Sequence, residues 1–441
     1  MKLEYIYING YKNLDNLEMY FEDGSSVNSL IGNNGSGKSN ILEAIAIIFS
    51  DLQESMNPYG FEFHLKYAID SQKIEINNLN NRMEILKNGK KITRKDIPSI
   101  MPKAIFLYYA GETQRLKALS ENIVTKKFEK TLKKNEEISL KFLTYLSVDD
   151  FGASLLSNYV FKNETYHKIC ELIDIKDICS PLTINLKKPN WSKTGKADKY
   201  WNAVGAVAKE LDALAKKGQY FVIDSNRSKI VIEDIEKLRD DSIGAIGLFT
   251  IFKVLHQADI LEGLEYEVLK GNEKFSYTNL SEGEKQLSQL LLILEITKEY
   301  KALFLLDEFD SYLHPKWQRK FVDVLNDIDI RGQILFTTHS PLTLGKMRRD
   351  NILLLKDSVV YNPSGETYNR DITEVLEELM DVKKRPPEIE KLIYDFRQSA
   401  MEKNKVRAFD LYNQLNDVLS EEDPFFINAK ITLARLERGS R

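Results

Sequence analysis

The opening segments of the chain alternate between apolar and polar positions, which is the pattern of half-buried strands. Alternation over residues 3–8 and 17–21 predicts two strands, and residues 27–31 form a short apolar run that predicts a buried third strand. Apolar residues then recur at helical spacing over residues 41–49. Between these two segments lies a glycine-rich stretch, so the sequence predicts a strand, a tight loop and a helix in succession.

The pattern changes over the next two hundred residues. Residues 61–93 predict an antiparallel unit with a hairpin at Asn88-Gly89, a dipeptide that tolerates positive φ at both turn positions. Residues 104–109 predict another apolar strand. Residues 116–260 predict mainly helices with lysine-rich surfaces, along with short strand-like pieces near 181–187 and 219–233.

Two further apolar segments, residues 302–306 and 333–337, predict strands on either side of a helix at 316–328. A strand, a helix and a strand in this order imply a parallel sheet with right-handed crossovers. After Pro386-Pro387 the pattern is purely helical. The predicted fold class is therefore α/β, with a mixed sheet, a helical insertion and a small C-terminal helical module.

Composition narrows the class of protein. Of 441 residues, 43% are hydrophobic and 29% charged, which excludes a disordered or collagen-like chain. Sixty-two basic and 66 acidic residues give a net charge of −4, so any nucleic-acid site is a local patch. Two cysteines cannot form a disulfide framework, and the apolar runs are too short to span a bilayer. With no signal peptide at the start, we expect a cytoplasmic protein without a membrane partner.

The glycine-rich stretch Gly32-Asn-Asn-Gly-Ser-Gly-Lys-Ser39 matches G-x-x-x-x-G-K-[ST] at every fixed position. Glycines let backbone N–H groups converge on phosphates, and the helix N-terminus adds its positive end. We expect Lys38 to reach the β- and γ-phosphates of ATP and the Ser39 hydroxyl to hold Mg²⁺. The predicted nucleotide-binding residues are Gly32, Asn33, Asn34, Gly35, Ser36, Gly37, Lys38, Ser39 and Asn40.

Two acids, Asp307 and Glu308, end the apolar strand predicted at 302–306. A carboxylate at the end of a strand beside a phosphate loop suits Mg²⁺, and the next one suits orienting and deprotonating a water molecule. The competing interpretation is a helix cap after a buried strand. The phosphate loop favours the first, with Asp307 as the metal ligand and Glu308 as the general base.

A third element, Leu280-Ser-Glu-Gly-Glu284, precedes an apolar helix, so Ser281 and Gly283 form an anion-receptive helix N-terminus. Phosphate loop, this element and then the paired acids follow the order of motifs in the ABC-type ATPase superfamily, which the chain resembles. The transporter form of the signature motif is Leu-Ser-Gly-Gly-Gln. The variant here resembles that of the RecF, SMC-like and OLD (overcoming lysogenization defect) families.

This resemblance assigns further roles. His339, in Thr-Thr-His339-Ser-Pro, resembles the switch histidine that senses the γ-phosphate, and Asp310 to Pro315 resembles the D-loop. Gln114 is the candidate Q-loop residue, with an exposed loop glutamine as the alternative. Lys12 is a weaker candidate for a phosphate contact. The implied catalytic residues are Lys38, Glu308 and His339.

The resemblance also implies domains. Residues 1–115 and 265–370 would be the two lobes of one ATPase head, 116–264 an insertion, and 371–441 the C-terminal module. The insertion has no long coiled coil, and the tail has no acidic cluster of the kind that a Toprim nuclease needs. The tail, including residues 368–372 and 385–389, resembles stand-alone ATPases of bacterial anti-phage systems such as Septu and PARIS.

In ABC-type heads the signature of one copy completes the nucleotide site of another, which implies a homo-oligomer with ATP between heads. For the whole protein, the resemblance implies an ATPase subunit that senses infection and controls a separate effector, an HNH or Toprim nuclease. The alternative is a DNA-binding clamp of the RecF or SMC type. Two lysine clusters could contact DNA, although a solvated lysine-rich surface is the competing interpretation. The first cluster is Lys87, Lys90, Lys91, Arg94 and Lys95. The second is Lys187, Lys188, Lys193, Lys196 and Lys199, near Trp191 and Trp201.

Overall fold

The computed structural model describes the chain except for residues 23, 55–59, 80–81, 112–114, 122–138, 357, 364, 366, 369–384, 421–422 and 439–441. The chain forms two compact units, Met1–Arg370 and Asp371–Arg441. The predicted boundaries at residues 115 and 264 both fall inside the first unit, and they stay predictions.

Strands and helices alternate along the first unit. The described strands are β1 (Lys2–Asn9), β2 (Leu17–Tyr20), β3 (Val27–Gly32), β4 (Glu62–Ile69), β5 (Gln72–Asn77), β6 (Glu84–Lys87), β7 (Lys90–Lys91), β8 (Ile105–Tyr109), β9 (Leu143–Tyr145), β10 (Ile175–Lys187), β11 (Gln219–Val222), β12 (Arg227–Ile232), β13 (Leu261–Lys270), β14 (Glu273–Ser276), β15 (Leu303–Asp307), β16 (Gln333–Thr337), β17 (Ile352–Lys356) and β18 (Val359–Tyr361). The described helices of this unit are α1 (Lys38–Glu54), α2 (Phe151–Phe161), α3 (Glu164–Leu172), α4 (Gly205–Lys217), α5 (Gly244–Gln257), α6 (Glu282–Thr297), α7 (Pro315–Asp327) and α8 (Pro341–Leu344).

A seven-stranded sheet in the order β18-β17-β3-β16-β15-β8-β9 is the base of the fold. All neighbouring pairs are parallel except β17 with β18. Every residue of β15 and β16 is buried, as is usual for a parallel sheet that is covered on both faces. The predicted parallel strand–helix–strand unit is confirmed, with α7 connecting β15 to β16.

A second, antiparallel sheet has the order β2-β1-β4-β5-β6-β7. The predicted hairpin lies between β6 and β7, where Asn88 and Gly89 have φ values of 50° and 74°. Helix α1 belongs to a single apolar cluster that includes residues of both sheets, among them Tyr67 of β4 and Leu305 of β15. The mixed α/β architecture predicted from the sequence is therefore confirmed.

The insertion differs from the mainly helical segment that the sequence predicts. Helices α2 to α5 are present, but a five-stranded antiparallel sheet accompanies them, in the order β11-β12-β10-β13-β14. Its central strand β10 has 13 residues, twice the length suggested by the strand-like piece at 181–187. Register shifts between Ile175 and Asp177 and between Cys179 and Thr183 break the alternation of β10, so the pattern hid its first half.

The second unit contains three helices, α9 (Pro387–Met401), α10 (Lys405–Val418) and α11 (Pro424–Arg438). Their apolar stripes meet in a small core formed by Ile393, Phe396, Ala408, Leu411, Leu415, Phe426, Ala429 and Leu433. Val418, the last residue of α10, is 58% exposed and does not join this core. The purely helical pattern predicted after Pro386-Pro387 is confirmed over the described residues.

Candidate nucleotide site

The predicted site residues follow three neighbouring parallel strands. The glycine loop follows β3, His339 lies two residues after β16, and Asp307 ends β15. Strand β16 lies between β3 and β15, so the carboxyl ends of all three strands meet at one edge of the sheet. In open α/β sheets this edge is where ligands bind.

The glycine loop has a shape that side chains would obstruct. A Cβ atom added at Gly32 would lie 2.4 Å from the carbonyl oxygen of Leu355, and one added at Gly37 would lie 2.8 Å from Leu14 Cδ2. Gly37 also has a φ of 112°, in the region that favours glycine. Helix α1 begins directly after this loop, so its first unpaired N–H groups point into the loop, as in a phosphate cradle.

Lys38 folds back onto this loop. Its Nζ donates hydrogen bonds to the carbonyl oxygens of Gly32, at 2.8 Å, and Asn33, at 3.1 Å, and the residue is only 6% exposed. Burial lowers the pKa of Lys38, whereas the nearby charges of Asp307 and Glu308 raise it. In the same loop the buried Ser36 hydroxyl has no hydrogen-bond partner in the described part of the chain. A cation and a spare hydroxyl in a glycine cradle fit the phosphates of a nucleotide.

Thr337 joins the ends of β15 and β16. Its hydroxyl donates to Asp307 Oδ1 at 2.6 Å and accepts a hydrogen bond from the Glu308 N–H at 2.8 Å. Glu308 has a φ of 50°, a left-handed conformation that is costly for a residue with a side chain. Thr337 thus fixes both acids at once. The sequence analysis did not single it out, although a polar residue at the end of an apolar strand was a usable signal.

The charges around the acids shift the protonation equilibria of Glu308 and His339. Burial raises the pKa of Glu308, the negative charge of Asp307 raises it further, and Lys38 opposes the shift. Burial also lowers the pKa of His339, Lys38 lowers it further, and Asp307 opposes that. Because the ordinary value for histidine is 6.5, His339 is neutral at pH 7. Lys38 and Asp307 therefore act electrostatically on both Glu308 and His339.

Asp310 fixes the segment that carries His339. Its carboxylate is 2% exposed and accepts hydrogen bonds from the hydroxyls of Thr338, at 2.5 Å, and Thr343, at 2.6 Å. Burial raises the pKa of Asp310, although both of these hydrogen bonds oppose the shift. His314, at the other end of the predicted D-loop, accepts from the Lys316 N–H at 3.2 Å and caps α7. The sequence analysis did not identify the two threonines.

The signature residues lie at the exposed start of α6. The Ser281 hydroxyl and N–H both donate to Glu284 Oε2, at 2.8 and 2.9 Å, in a capping box. Burial works to raise the pKa of Glu284, yet its bonds from Lys270 and Ser281 outweigh burial and lower it. A Cβ added at Gly283 would lie 3.0 Å from the Trp317 ring, so a larger residue here would press against that ring.

The remaining predicted contacts differ in outcome. Gln114 lies outside the described residues. Lys12 forms an ion pair with Glu43, while the neighbouring Asn13 donates to the carbonyl oxygen of Gly35 at 3.1 Å, so the asparagine contacts the glycine loop. The two lysine clusters stay predictions for DNA binding.

The donors available to a metal are few. The described residues include no group of three or more histidine, cysteine, aspartate or glutamate side chains placed to hold an ion. Ser39 and Asp307 offer two oxygen ligands, and Mg²⁺ typically takes only one or two carboxylates, with substrate phosphates completing the shell. The donor set therefore fits Mg²⁺ bound together with a nucleotide. Each described helix is too short or too polar to cross a bilayer.

Comparison with known proteins identifies the family of this chain. Residues 27–345 match the family model described as "AAA domain, putative AbiEii toxin, Type IV TA system". The chain belongs to this family. Its matched residues include the glycine loop, both acids and His339, so the protein is a nucleotide-binding ATPase.

Curated relatives match over most of the chain. The Septu protein PtuA of Bacillus thuringiensis is 22% identical, over 98% of this chain and 97% of its own length. The Retron Vc95 probable ATPase of Vibrio cholerae is 27% identical, over 81% of this chain and 74% of its own. The Retron Ec83 probable ATPase of Escherichia coli is 26% identical, over 87% of this chain and 77% of its own length.

Solved structures are more distant. An SMC head bound to the C-terminal winged-helix domain of ScpA aligns with a TM-score of 0.39 and 17% identity, over 87% of this chain and all of that one. The SMC head domain from Thermotoga maritima aligns with a TM-score of 0.36 and 15% identity, over 82% of this chain and 98% of that one.

Proposed function

We propose that this ATPase is the ATP-hydrolysing subunit of a bacterial anti-phage defence complex, in which it forms a homo-oligomeric scaffold that senses infection and controls a separate nuclease. The observation that carries this proposal is the match to the Septu protein PtuA along 98% of this chain and 97% of the relative. A shared head would give a match over the ATPase motifs alone. This match also extends through the C-terminal helices.

The groups at the carboxyl ends of the strands would carry out hydrolysis. Lys38 would leave the carbonyls of Gly32 and Asn33 for the phosphates of ATP. Ser39 and Asp307 would hold Mg²⁺, which neutralises charge on the phosphate oxygens when bound. Glu308 would take a proton from the attacking water, and its raised pKa makes it a stronger base than an ordinary carboxylate.

His339 would report the state of the phosphates. Its lowered pKa keeps the ring neutral at pH 7, so it could donate one hydrogen bond and accept another. The threonine pair that bonds to Asp310 ties this histidine to the loop after β15. A movement of one of these loops would therefore displace the other.

Ser281 and Gly283 would act on a second copy. In this chain the Ser281 hydroxyl bonds to Glu284, and the start of α6 is exposed to solvent. Its positive end is then free to meet the phosphates held by Lys38 of another copy. ATP would close two heads together, and hydrolysis would let them part.

The destructive step would belong to another protein, an HNH or Toprim nuclease. Such nucleases need several metal ligands together, and the described residues contain no group of three or more histidine, cysteine, aspartate or glutamate side chains placed to hold an ion. The ATPase cycle would then restrain or release the effector through contact between proteins.

The test is phosphate release by the purified full-length chain, alone and with double-stranded DNA, together with its mass in solution. We expect slow hydrolysis that DNA does not change, and a larger mass with ATP, most clearly for Glu308→Gln, which should bind ATP without hydrolysing it. Strong stimulation by DNA would instead support the RecF- or SMC-like clamp. Hydrolysis by Glu308→Gln at the wild-type rate would show that Glu308 is not the base.

A further inference from the structure

Strand β11 lies at an edge of the five-stranded sheet in the insertion and pairs with β12. At its end, three apolar residues in succession are open to solvent. Phe221, Val222 and Ile223 are 42%, 51% and 55% exposed. Proteins usually protect such an edge with a charge, a proline or a covering element, because an apolar edge strand invites another strand. An apolar edge strand that is open to solvent is therefore a candidate binding surface.

The backbone of this edge is available for pairing. Ile223 donates its N–H to the carbonyl oxygen of Arg227 at 3.0 Å, so this residue faces β12. In an antiparallel ladder such inward positions recur every second residue. Phe221, opposite Lys229, is therefore also inward, and Tyr220 and Val222 turn their N–H and C=O groups away from β12. These two residues offer a ready ladder to an incoming strand.

A lysine-rich loop, residues 188–202, packs beside this edge. The Lys188 N–H donates to the Asn226 carbonyl at 2.8 Å, and Trp201 Nε1 donates to the Ser225 carbonyl at 2.7 Å. The Tyr220 hydroxyl, from the edge strand itself, donates to the carbonyl of Ala197. Loop and strand therefore form one continuous surface.

This surface carries more positive than negative charge, and two acids from outside it also contact it: Asp259 accepts a hydrogen bond from the Asn190 N–H at 2.9 Å, and Glu262 pairs with Arg227 at 3.6 Å. Five lysines around it take part in no ion pair within the described parts of the chain, namely Lys188, Lys193, Lys196, Lys199 and Lys229. The same two segments, residues 188–202 and 219–229, contain only Asp198 and Asp224 as acids. The Asp224 carboxylate is already engaged, because it accepts hydrogen bonds from the N–H groups of Asn226 and Arg227.

We propose that the β11 edge and the lysine-rich loop bind an extended acidic segment of another protein, which adds to the sheet as a sixth strand. The outward N–H and C=O groups supply the pairing, the three apolar side chains supply contact area, and the lysines select for acidic residues. Charge excludes pairing with a second copy, since the same lysines would then face one another. Nucleic acid would use the lysines but would leave the strand ladder without a role. This interaction is independent of ATP hydrolysis.

The probe is a fluorescein-labelled 12-residue peptide of alternating valine and glutamate, titrated with the full-length chain and followed by fluorescence anisotropy at low salt. A peptide of alternating valine and lysine is its control. Val222→Pro removes an outward N–H while sparing the ladder to β12, and V222T keeps that N–H and the branched side chain. We expect V222P to weaken binding about fivefold, the loss of one hydrogen bond, and V222T to bind as wild type.

A variant with glutamine at Lys188, Lys193, Lys196 and Lys199 should bind about tenfold more weakly and with less dependence on salt. Equal binding by V222P and V222T, or no binding of the acidic peptide to wild type, would overturn the proposal. Binding of a duplex DNA to wild type would also overturn the proposal if the glutamine variant weakened that binding and V222P did not. So would a mass in solution that V222P reduces by half. ATPase activity at the wild-type rate confirms that each variant is folded.

Discussion

Thr337 gives the sharpest test of how the acids are positioned. Its hydroxyl donates to Asp307 Oδ1 at 2.6 Å and accepts from the Glu308 N–H at 2.8 Å. Thr337→Val keeps the shape of the side chain and removes both bonds. Asp307 is 2% exposed, so its lost hydrogen bond has little water to replace it.

The expected magnitude follows from these two bonds. A hydrogen bond to a charged group is worth about 1.5–3 kcal/mol, and a buried N–H left without a partner costs about 1–3 kcal/mol. We expect T337V to lower the free energy of unfolding by about 3 kcal/mol. Glu308 would also lose the contact that holds its left-handed backbone, and a base displaced by about 1 Å can cost 100-fold in kcat.

The assay compares T337V with T337S, which keeps the hydroxyl. Urea denaturation gives the stability of each variant, and phosphate release gives kcat and KM. We expect kcat to fall for T337V with little change in KM, and T337S to stay near wild type. A T337V protein that is destabilised yet turns over at the wild-type kcat would refute the positioning role, because stability and catalysis would then be separate.

Three further predictions follow from the same site. The raised pKa of Glu308 means that its basic form is lost as pH falls through a value above the ordinary 4.5, so the acid limb of the pH–rate profile should lie at a higher pH than an exposed glutamate would give; an acid limb at the ordinary value would contradict this. Gly32→Ala should abolish binding of a fluorescent ATP analogue, because its Cβ would lie 2.4 Å from a carbonyl oxygen, whereas Gly263→Ala, with no atom within 4 Å, should bind normally. Gln286 on α6 donates to the Phe309 carbonyl beside Glu308 at 3.4 Å; Q286L should therefore lower kcat about tenfold, and an unchanged kcat would show that this contact does not position the base.

The glycine loop and the paired acids are readable from the sequence because each is a local motif with fixed spacing. Gly32 to Ser39 needs only its own backbone and the helix that follows. Asp307 and Glu308 need only the apolar strand before them. Local chemistry of this kind survives in a linear sequence, so the strand, loop and helix around these motifs could be predicted.

The contacts that hold the acids are not readable in this way. Thr337 meets Asp307 because β15 and β16 pair in a register that places Leu306 opposite Phe336, and register is a property of the folded sheet. The bonds from Thr338 and Thr343 to Asp310 span about thirty residues of chain for the same reason. Polar residues at strand ends were visible, but their partners were not.

The insertion was harder to predict because its central strand is irregular. Bulges in β10 interrupt the two-residue period that marks a strand, and its neighbours β12 and β13 are distant in sequence. The paired backbone that stabilises this sheet leaves no signature in a single strand. The sequence therefore predicted the helices and the strand-like pieces near 181–187 and 219–233, but not the five-stranded sheet to which these strands belong.

The proposed nucleotide site is completed by a second copy, and mixing two inactive variants tests this directly. Lys38→Ala lacks the phosphate contact of its own site, and Ser281→Arg blocks the signature that it would offer to another. We predict that each is inactive alone and that an equal mixture recovers about a quarter of the wild-type rate, since half of the pairs are mixed and each of those has one intact site. Full activity of Ser281→Arg alone, or a mixture that stays inactive although both variants fold, would contradict the account.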